Sequence, residues 1–194
     1  MRLALLALVS YLYGAIPYAY LAIRASKGKS LTQEGSGNVG VINSFRVGGL
    51  VAVVITLLGE FSKGLVALAL GAIFFPGQLT PRLLSVFLAF LGTNFSIYLR
   101  GRGGRGTTLL MWSTALLSPL SFVIMLVLCG LFFGLSRIAL WFKGLWFWFL
   151  APVLLLVERD WTFALFGLLT TLIVFLNGRR SRDDLVYHGY VKER

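Results

Sequence analysis

Residues 48–75 read GGLVAVVITLLGEFSKGLVALALGAIFF, and this stretch decides the class of fold. It carries no charge apart from Glu60 and Lys63, and about 20 apolar residues are enough for a helix to cross the hydrocarbon layer of a bilayer. The stretch therefore predicts a transmembrane segment. Gly59 and Gly64 flank the charged pair and weaken a helix there, so the pattern leaves open one long broken span or two short halves.

The composition extends this expectation to the whole protein. Of the 194 residues, 58% are hydrophobic and 13% are charged, and the mean hydropathy is +0.85. Such a chain has too little polar side chain to cover a water-soluble globule of this size. Cys129 is the only cysteine, which excludes an intrachain disulfide. The sequence predicts an all-α, polytopic transmembrane protein, and residues 1–194 form one domain because no repeat, linker or soluble segment divides them.

The gaps between charges outline the other spans. Residues 3–23 and 83–99 carry no charge, and residues 107–177 hold three full spans, or four with one shortened at Ser118-Pro119. We interpret the first run as a retained helix rather than a signal peptide, because no convincing cleavage site follows it. Parity favours four spans in the last segment. The chain is therefore expected to have about seven spans, some of them short or broken.

The basic residues lie between the apolar segments. Lysine and arginine together number 18 against 7 acidic residues, which gives a formal net charge of +11. Positive residues accumulate on the cytoplasmic side of membrane proteins, so residues 24–46, 100–106 and 178–194 are expected in the cytoplasm. The N-terminus is then outside and the C-terminus cytoplasmic. The charge also predicts membrane lipids and small anions as partners, and no nucleic acid.

A run of small and polar residues separates the first two spans. Residues 35–48 read GSGNVGVINSFRVG. Glycine lets backbone N–H groups approach an anion closely, serine and asparagine supply donors without bulk, and Arg46 can bind phosphate with two N–H groups at once. The pattern predicts a phosphate site. A plain loop, in which Ser36 or Asn38 caps the following helix, is the alternative.

A second glycine-rich run precedes the span that starts at Thr107. Residues 100–106 read RGRGGRG. Glycine-rich backbone at a helix N-terminus offers free N–H groups and the positive end of the helix dipole, and Arg102 and Arg105 add full charges. The run predicts a second anion site, although it lacks the Lys-Ser/Thr ending of a nucleotide-binding loop. A positive-inside topology signal is the alternative, which accounts for the arginines but not for the glycines.

The charged residues inside apolar segments are few. Glu60 and Lys63 lie one helical turn apart, so an ion pair can make their burial tolerable, and a functional role is equally open. His188, the only histidine, lies in the polar tail, so a Ser-His-Asp triad or a histidine-rich metal site within the helices is excluded. We expect no metal site and no cofactor.

These motifs resemble those of the bacterial membrane acyl-phosphate:glycerol-3-phosphate acyltransferases, the PlsY family. Residues 35–46 resemble the family pattern G-S-G-N-x-G-x-x-N-x-x-R, whose spacing is highly specific. Lys63-Gly64 resembles D-x-x-K-G, with Glu60 in place of the aspartate. Gly14-Ala15-Ile16-Pro17-Tyr18, followed by Tyr20-Leu21, resembles the pattern of the family's first helix. The family's second motif is G-H-x-F-P-V-F-L-x-F-K-G-G-K-G. Gly92, Phe95, Leu99 and residues 102–106 resemble it, with arginines in place of lysines.

The chain also departs from the family text. Thr93 stands where the family has histidine, and Ser96 where it has proline. The C-terminal motif R-H-R-x-N-I, which precedes a glutamate, corresponds to RSRDDL at residues 180–185 and to Glu193, so its histidine and asparagine are absent. The serine of the pattern R-Y-x-S-L has no counterpart at residues 137–141, which read RIALW. The resemblance therefore identifies a divergent member.

The resemblance implies an acyltransferase that uses acyl phosphate and glycerol 3-phosphate to form lysophosphatidic acid for phospholipid synthesis. It further implies no covalent enzyme intermediate, a monomer, and a place in the bacterial cytoplasmic (inner) membrane. The residues it assigns to catalysis are Ser36, Asn38, Asn43, Arg46 and Lys63. Those it assigns to the substrate phosphates are Gly35, Gly37, Gly40, Arg102, Gly103, Gly104, Arg105 and Gly106.

Two other functions remain open from the residues alone. One is an inactive or divergent paralogue that acts as a lipid-binding or scaffold protein of the membrane. The other is a small anion transporter that uses the same basic loops. Transporters place their substrate sites near the midplane between repeated halves, whereas these loops lie at one face and no repeat is visible.

Overall fold

The computed structural model describes residues 1–136 and 139–177, with the side chains of 132–147 left out of the description. The described residues are helical and contain no strand. The α-helices are α1 (Arg2–Gly14), α2 (Tyr18–Lys27), α3 (Val41–Phe74), α4 (Leu79–Asn94), α5 (Thr107–Leu117), α6 (Pro119–Ser136), α7 (Ala139–Glu158) and α8 (Trp161–Asn177), and a short 3-10 helix covers Ile97–Leu99. The predicted all-α architecture is confirmed.

The first span is a helix with a break in it. Helices α1 and α2 together form an apolar segment, Arg2–Lys27, that is long enough to cross a membrane. Pro17 has no N–H to continue the helix, and it stands immediately before α2. The single retained helix expected over residues 3–23 is therefore corrected to two helices within one apolar segment.

Helix α3 decides between the two predictions for residues 48–75, one long broken span or two short halves. The helix is continuous past Glu60 and Lys63, and its backbone leaves the helical region at Gly49, where φ is 74° and ψ is −159°. Only glycine adopts such angles readily. From there to Phe74 the helix is roughly 37 Å long at 1.5 Å per residue, enough for one full span. Gly59 does not break the helix. It gives the ring of Tyr18 room to pack, since a Cβ atom there would lie 2.2 Å from Tyr18 Cγ.

The described part of the C-terminal half contains four helices, which is the number of spans that parity favoured. Helix α5 has only 11 residues, and the chain breaks between Ser118 and Pro119 before α6 begins. In the described residues three segments are long and apolar enough to cross a membrane, and four shorter apolar helices follow them. With α1 and α2 counted as one segment, these make the seven apolar segments that the sequence predicted.

The two ends of the bundle differ. At one end lie the α2–α3 loop, the α4–α5 loop and the last residue of α8, since Asn177 donates a hydrogen bond to the carbonyl of Gly104. At the other end Ser118, which follows α5, donates a hydrogen bond to Glu158 at the end of α7. Both glycine-rich loops are therefore at the same end of the bundle.

Candidate active site

The α2–α3 loop is held in shape by one buried side chain. Asn43 is 0% exposed, and its Nδ2 donates to the carbonyls of Glu34 and Asn38, at 3.0 Å each. Its Oδ1 accepts a hydrogen bond from the backbone N–H of Ser36 at 3.2 Å. All of these bonds go to the backbone of the loop, so Asn43 lies beneath the loop and positions it.

The alternative interpretation of this loop as a simple helix cap is wrong. The N-cap residue of α3 is Gly40, which has no side chain, and neither Ser36 nor Asn38 occupies that position. Ser36 Oγ accepts a hydrogen bond from the N–H of Asn38, within the loop, at 3.3 Å. Gly35 and Gly37 have positive φ angles of 58° and 75°. The small residues therefore shape a tight loop that ends at Gly40, the N-cap of α3.

The α4–α5 loop lies directly against its neighbours. A Cβ atom on Gly103 would lie 2.0 Å from the carbonyl oxygen of Thr93, and one on Gly104 would lie 2.4 Å from the carbonyl oxygen of Val39. No other residue type fits at such distances. Gly103 thus allows the loop to pack closely on the end of α4, and Gly104 allows the two loops to pack closely on each other, which a topology signal alone does not explain.

Together the two loops enclose a wide, open cavity of about 980 Å³. We call it the arginine cavity, because Arg100, Arg102 and Arg105 line it and no acidic residue does so among the described residues. Its lining is Thr32, Gln33, Gly35, Ser36, Gly37, Asn38, Phe95, Arg100, Gly101, Arg102, Gly103, Gly104, Arg105 and Asn177. Glu34, the acidic residue of the α2–α3 loop, forms an ion pair with Lys29 at 3.2 Å. The cavity is thus suited to an anionic ligand.

Most of the residues predicted from the sequence meet at this cavity. Eight of them line it, namely Gly35, Ser36, Gly37, Asn38, Arg102, Gly103, Gly104 and Arg105. Gly40 and Gly106 line a neighbouring hollow of about 80 Å³ where the N-termini of α3 and α5 converge. Arg46 lies on the exposed side of α3 and lines neither space.

Lys63 lies behind the α4–α5 loop. It lines a small hollow of about 10 Å³ together with Gly103 and Gly104, and it is 1% exposed. Its Nζ donates to Glu60 Oε1 at 2.6 Å and to Thr93 Oγ1 at 3.2 Å. The same atom lies 5.6 Å from the centre of the Tyr18 ring. The predicted ion pair is therefore present, beneath the cavity rather than in its wall.

The chain matches the model of the glycerol-3-phosphate acyltransferase family over residues 4–186. It belongs to that family. Among relatives of this acyltransferase family, the glycerol-3-phosphate acyltransferase of Syntrophomonas wolfei is 27% identical over 187 residues, which cover 95% of this chain and 94% of the relative. That of Bacillus subtilis is 32% identical over 137 residues, which cover 71% and 70% of the two chains.

Solved structures show the same fold. The crystal structure of PlsY, described as an integral membrane glycerol 3-phosphate acyltransferase, has a TM-score of 0.82 to this chain in its glycerol 3-phosphate form. The match has 18% sequence identity and covers 100% of this chain and 96% of PlsY. The lysophosphatidic acid form of PlsY has a TM-score of 0.73, again at 18% identity, and covers 100% and 95% of the two chains.

Thr93 and Ser96, two of the departures from the acyltransferase family pattern, lie among the described residues. The Thr93 hydroxyl accepts a hydrogen bond from Lys63 and donates to the carbonyl of Gly14 at 2.9 Å. Ser96 donates to the carbonyl of Ala15 at 2.6 Å. The C-terminal motif at residues 180–185 and Glu193 lie outside the described residues. So do residues 137 and 138, the first two of the stretch RIALW.

Sequence reasoning missed Asn177 and Asn94. Asn177 ends α8 and lines the arginine cavity, and its Nδ2 donates to Asn94 Oδ1 at 2.8 Å. The available signal was a lone amide in the last turn of an apolar helix, directly before the basic tail. Nothing in the spacing shows that this turn returns to a loop far earlier in the chain.

Proposed function

We propose that the protein transfers an acyl group from acyl phosphate to the primary hydroxyl of glycerol 3-phosphate and releases lysophosphatidic acid and inorganic phosphate. The observation that carries this proposal is the convergence of two glycine-rich loops on one open cavity with three arginines. Membership of the glycerol-3-phosphate acyltransferase family supports the acceptor. An acyl-phosphate donor would be a second anion beside glycerol 3-phosphate, and a wide cavity lined by three arginines is suited to two anions.

The reaction requires little acid–base machinery. The hydroxyl oxygen attacks the carbonyl carbon of the acyl phosphate, a new ester C–O bond forms, and the C–O bond to the phosphate breaks. The departing phosphate takes the hydroxyl proton. The protein has to bring two negatively charged substrates together and stabilise the charge that develops, and the three arginines of the cavity supply the positive charge for both.

Ser36, Asn38, Arg102 and Arg105 are the residues we assign to the substrate phosphates, because all four line the arginine cavity. Asn43 is assigned a positioning role through the loop that it supports. Lys63 acts from below, through Gly103 and Gly104. Arg46 stays a prediction of the family motif, since its side chain is exposed and does not line the arginine cavity.

The polar phosphate and the apolar acyl chain of the donor need different surroundings, and a site at the membrane surface offers both. We place the arginine cavity at the cytoplasmic end of the bundle, where the basic residues of the α2–α3 and α4–α5 loops lie. The phosphates then sit in water at the loops while the acyl chain stays among lipids. We further propose that the protein is a monomer of the bacterial inner membrane, with the N-terminus outside and the C-terminus in the cytoplasm.

The direct test mixes the purified protein with palmitoyl phosphate and radiolabelled glycerol 3-phosphate and measures labelled lysophosphatidic acid. Palmitoyl-CoA in place of palmitoyl phosphate tests the donor. We expect product with palmitoyl phosphate only. Binding of both substrates without product would favour the lipid-binding paralogue, and uptake of glycerol 3-phosphate by proteoliposomes would favour the transporter.

A further inference from the structure

Asn177 reaches the arginine cavity from the helix farthest along the described chain. Its side chain is 5% exposed, and it donates from Nδ2 to Asn94 Oδ1 at 2.8 Å and to the carbonyl of Gly104 at 3.3 Å. A side-chain amide has two N–H donors. Both are therefore used in holding α8 to the end of α4 and to the α4–α5 loop.

The hydrogen-bond network also determines which way this amide points. Asn94 is fully buried, and its own Nδ2 donates to the carbonyl of Phe90 at 2.9 Å. Its Oδ1 is thus the atom that faces Asn177. The carbonyl of Gly104 is likewise an acceptor, so a flipped Asn177 would place its oxygen against two other oxygens. The amide nitrogen must face inward, and the carbonyl oxygen is the group that remains.

Among the described residues, none donates a hydrogen bond to Asn177 Oδ1. An amide oxygen accepts hydrogen bonds and cannot donate them, so it repels the oxygens of an ionised phosphate. In a cavity whose charged groups are arginines, a fixed acceptor matches a ligand that carries a hydroxyl beside its phosphate.

We propose that Asn177 Oδ1 accepts a hydrogen bond from the secondary hydroxyl of glycerol 3-phosphate and so selects this acceptor. The proposal rests on the acyl transfer proposed above. The primary hydroxyl is the wrong partner, because it loses its proton during attack. An amide oxygen, which takes up no proton, would stabilise that hydroxyl before the reaction and not in the transition state. The secondary hydroxyl keeps its proton throughout.

The test compares glycerol 3-phosphate with 3-hydroxypropyl phosphate, which has the same phosphate and primary hydroxyl and lacks the secondary one. The wild-type protein should favour glycerol 3-phosphate in kcat/KM by about tenfold or more, the value of one hydrogen bond. Asn177→Ala should bring the ratio of the two kcat/KM values close to one. Partial misfolding cannot produce this result, because it lowers the activity on both substrates equally.

Thr170→Ala is the matched control on the same helix. Thr170 is buried and its hydroxyl bonds to the carbonyls of Phe166 and Gly167 in its own helix, so this variant should keep the wild-type ratio. A wild-type protein that does not discriminate between the two substrates overturns the proposal. So does an Asn177→Ala variant that keeps the wild-type preference.

Competition with radiolabelled glycerol 3-phosphate, measured without the acyl donor, provides a second readout for a variant with too little turnover. The unlabelled deoxy compound should compete about tenfold less well than glycerol 3-phosphate for the wild type and equally well for Asn177→Ala. A binding preference without acyl product would defeat the proposed function and keep the hydroxyl contact. Acyl product without any preference would defeat the hydroxyl contact alone.

Discussion

Removing one member of the buried ion pair should destabilise the protein more than removing both. Lys63 Nζ and Glu60 Oε1 are 2.6 Å apart, and the two side chains are 2% and 10% exposed. Glu60→Gln leaves Lys63 with the Thr93 hydroxyl and the face of Tyr18, neither of which carries negative charge. A buried charge that has lost its partner costs about 3–5 kcal/mol.

The double variant separates the charge from the packing. Lys63→Met keeps a long side chain but leaves Glu60 unpaired, so it should cost about as much as Glu60→Gln. The double variant has no buried charge and is expected within about 2 kcal/mol of the wild type. The cycle should thus show a coupling of at least about 4 kcal/mol between the two positions. A single variant at about 3 kcal/mol has a folded-to-unfolded ratio roughly 100-fold below that of the wild type.

Equilibrium unfolding of the purified proteins in one detergent, followed by tryptophan fluorescence, measures all four free energies. Glu34→Gln is the control, because it breaks the ion pair to Lys29 at the protein surface, where the two side chains are 36% and 57% exposed. That pair should contribute less than about 1 kcal/mol. The reasoning is refuted if each single variant at the buried pair stays within 1 kcal/mol of the wild type, or if the double variant costs the sum of the two.

Arg102→Ala should lower kcat/KM for acyl transfer by about two to three decades, as expected when one charged phosphate contact is lost. Lys27→Ala, which removes an exposed cation outside the arginine cavity, should change it less than about threefold, and equal losses would point to a general charge effect. Topology gives another check, in a background whose native cysteine is replaced by serine. Cysteines at Ser30 and Gly101 should react with an impermeant thiol reagent from the cytoplasmic side only, and a cysteine at Gln78, in the α3–α4 loop, only from the opposite side. Labelling of Ser30 and Gln78 from one side would contradict the single span of α3.

Much of the fold could be predicted because the bilayer constrains it so strongly. A charge-free run of sufficient length has few alternatives to a spanning helix, and the break at Ser118-Pro119 follows from a proline with no N–H. The position of the break in the long apolar stretch was harder to predict. Glycine permits a positive φ but does not require it, so Gly49, Gly59 and Gly64 look alike in the sequence and only Gly49 bends the helix.

The sequence predicted which loops form the site, but it did not predict which side chains of those loops face the cavity. Asn43 and Arg46 belong to one motif, yet Asn43 is buried beneath its loop and Arg46 is exposed. Spacing along the chain places residues near one another but does not decide which of them face the ligand. Asn177 was missed for a different reason. Its partner Asn94 is 83 residues away, and only the packing of α8 against α4 brings them together.

The departures at Thr93 and Ser96 are explained by the break between α1 and α2. The last carbonyls of a helix lack partners within it, and inside a membrane no water replaces them. The hydroxyl of Thr93 donates to the carbonyl of Gly14, and that of Ser96 donates to the carbonyl of Ala15. A proline at position 96, as in the family text, has no donor for that carbonyl. These two residues therefore stabilise the broken helix directly below Gly103 and Gly104. Although Thr93 and Ser96 replace the histidine and the proline of the family, the arginines that supply the charge of the cavity are still present.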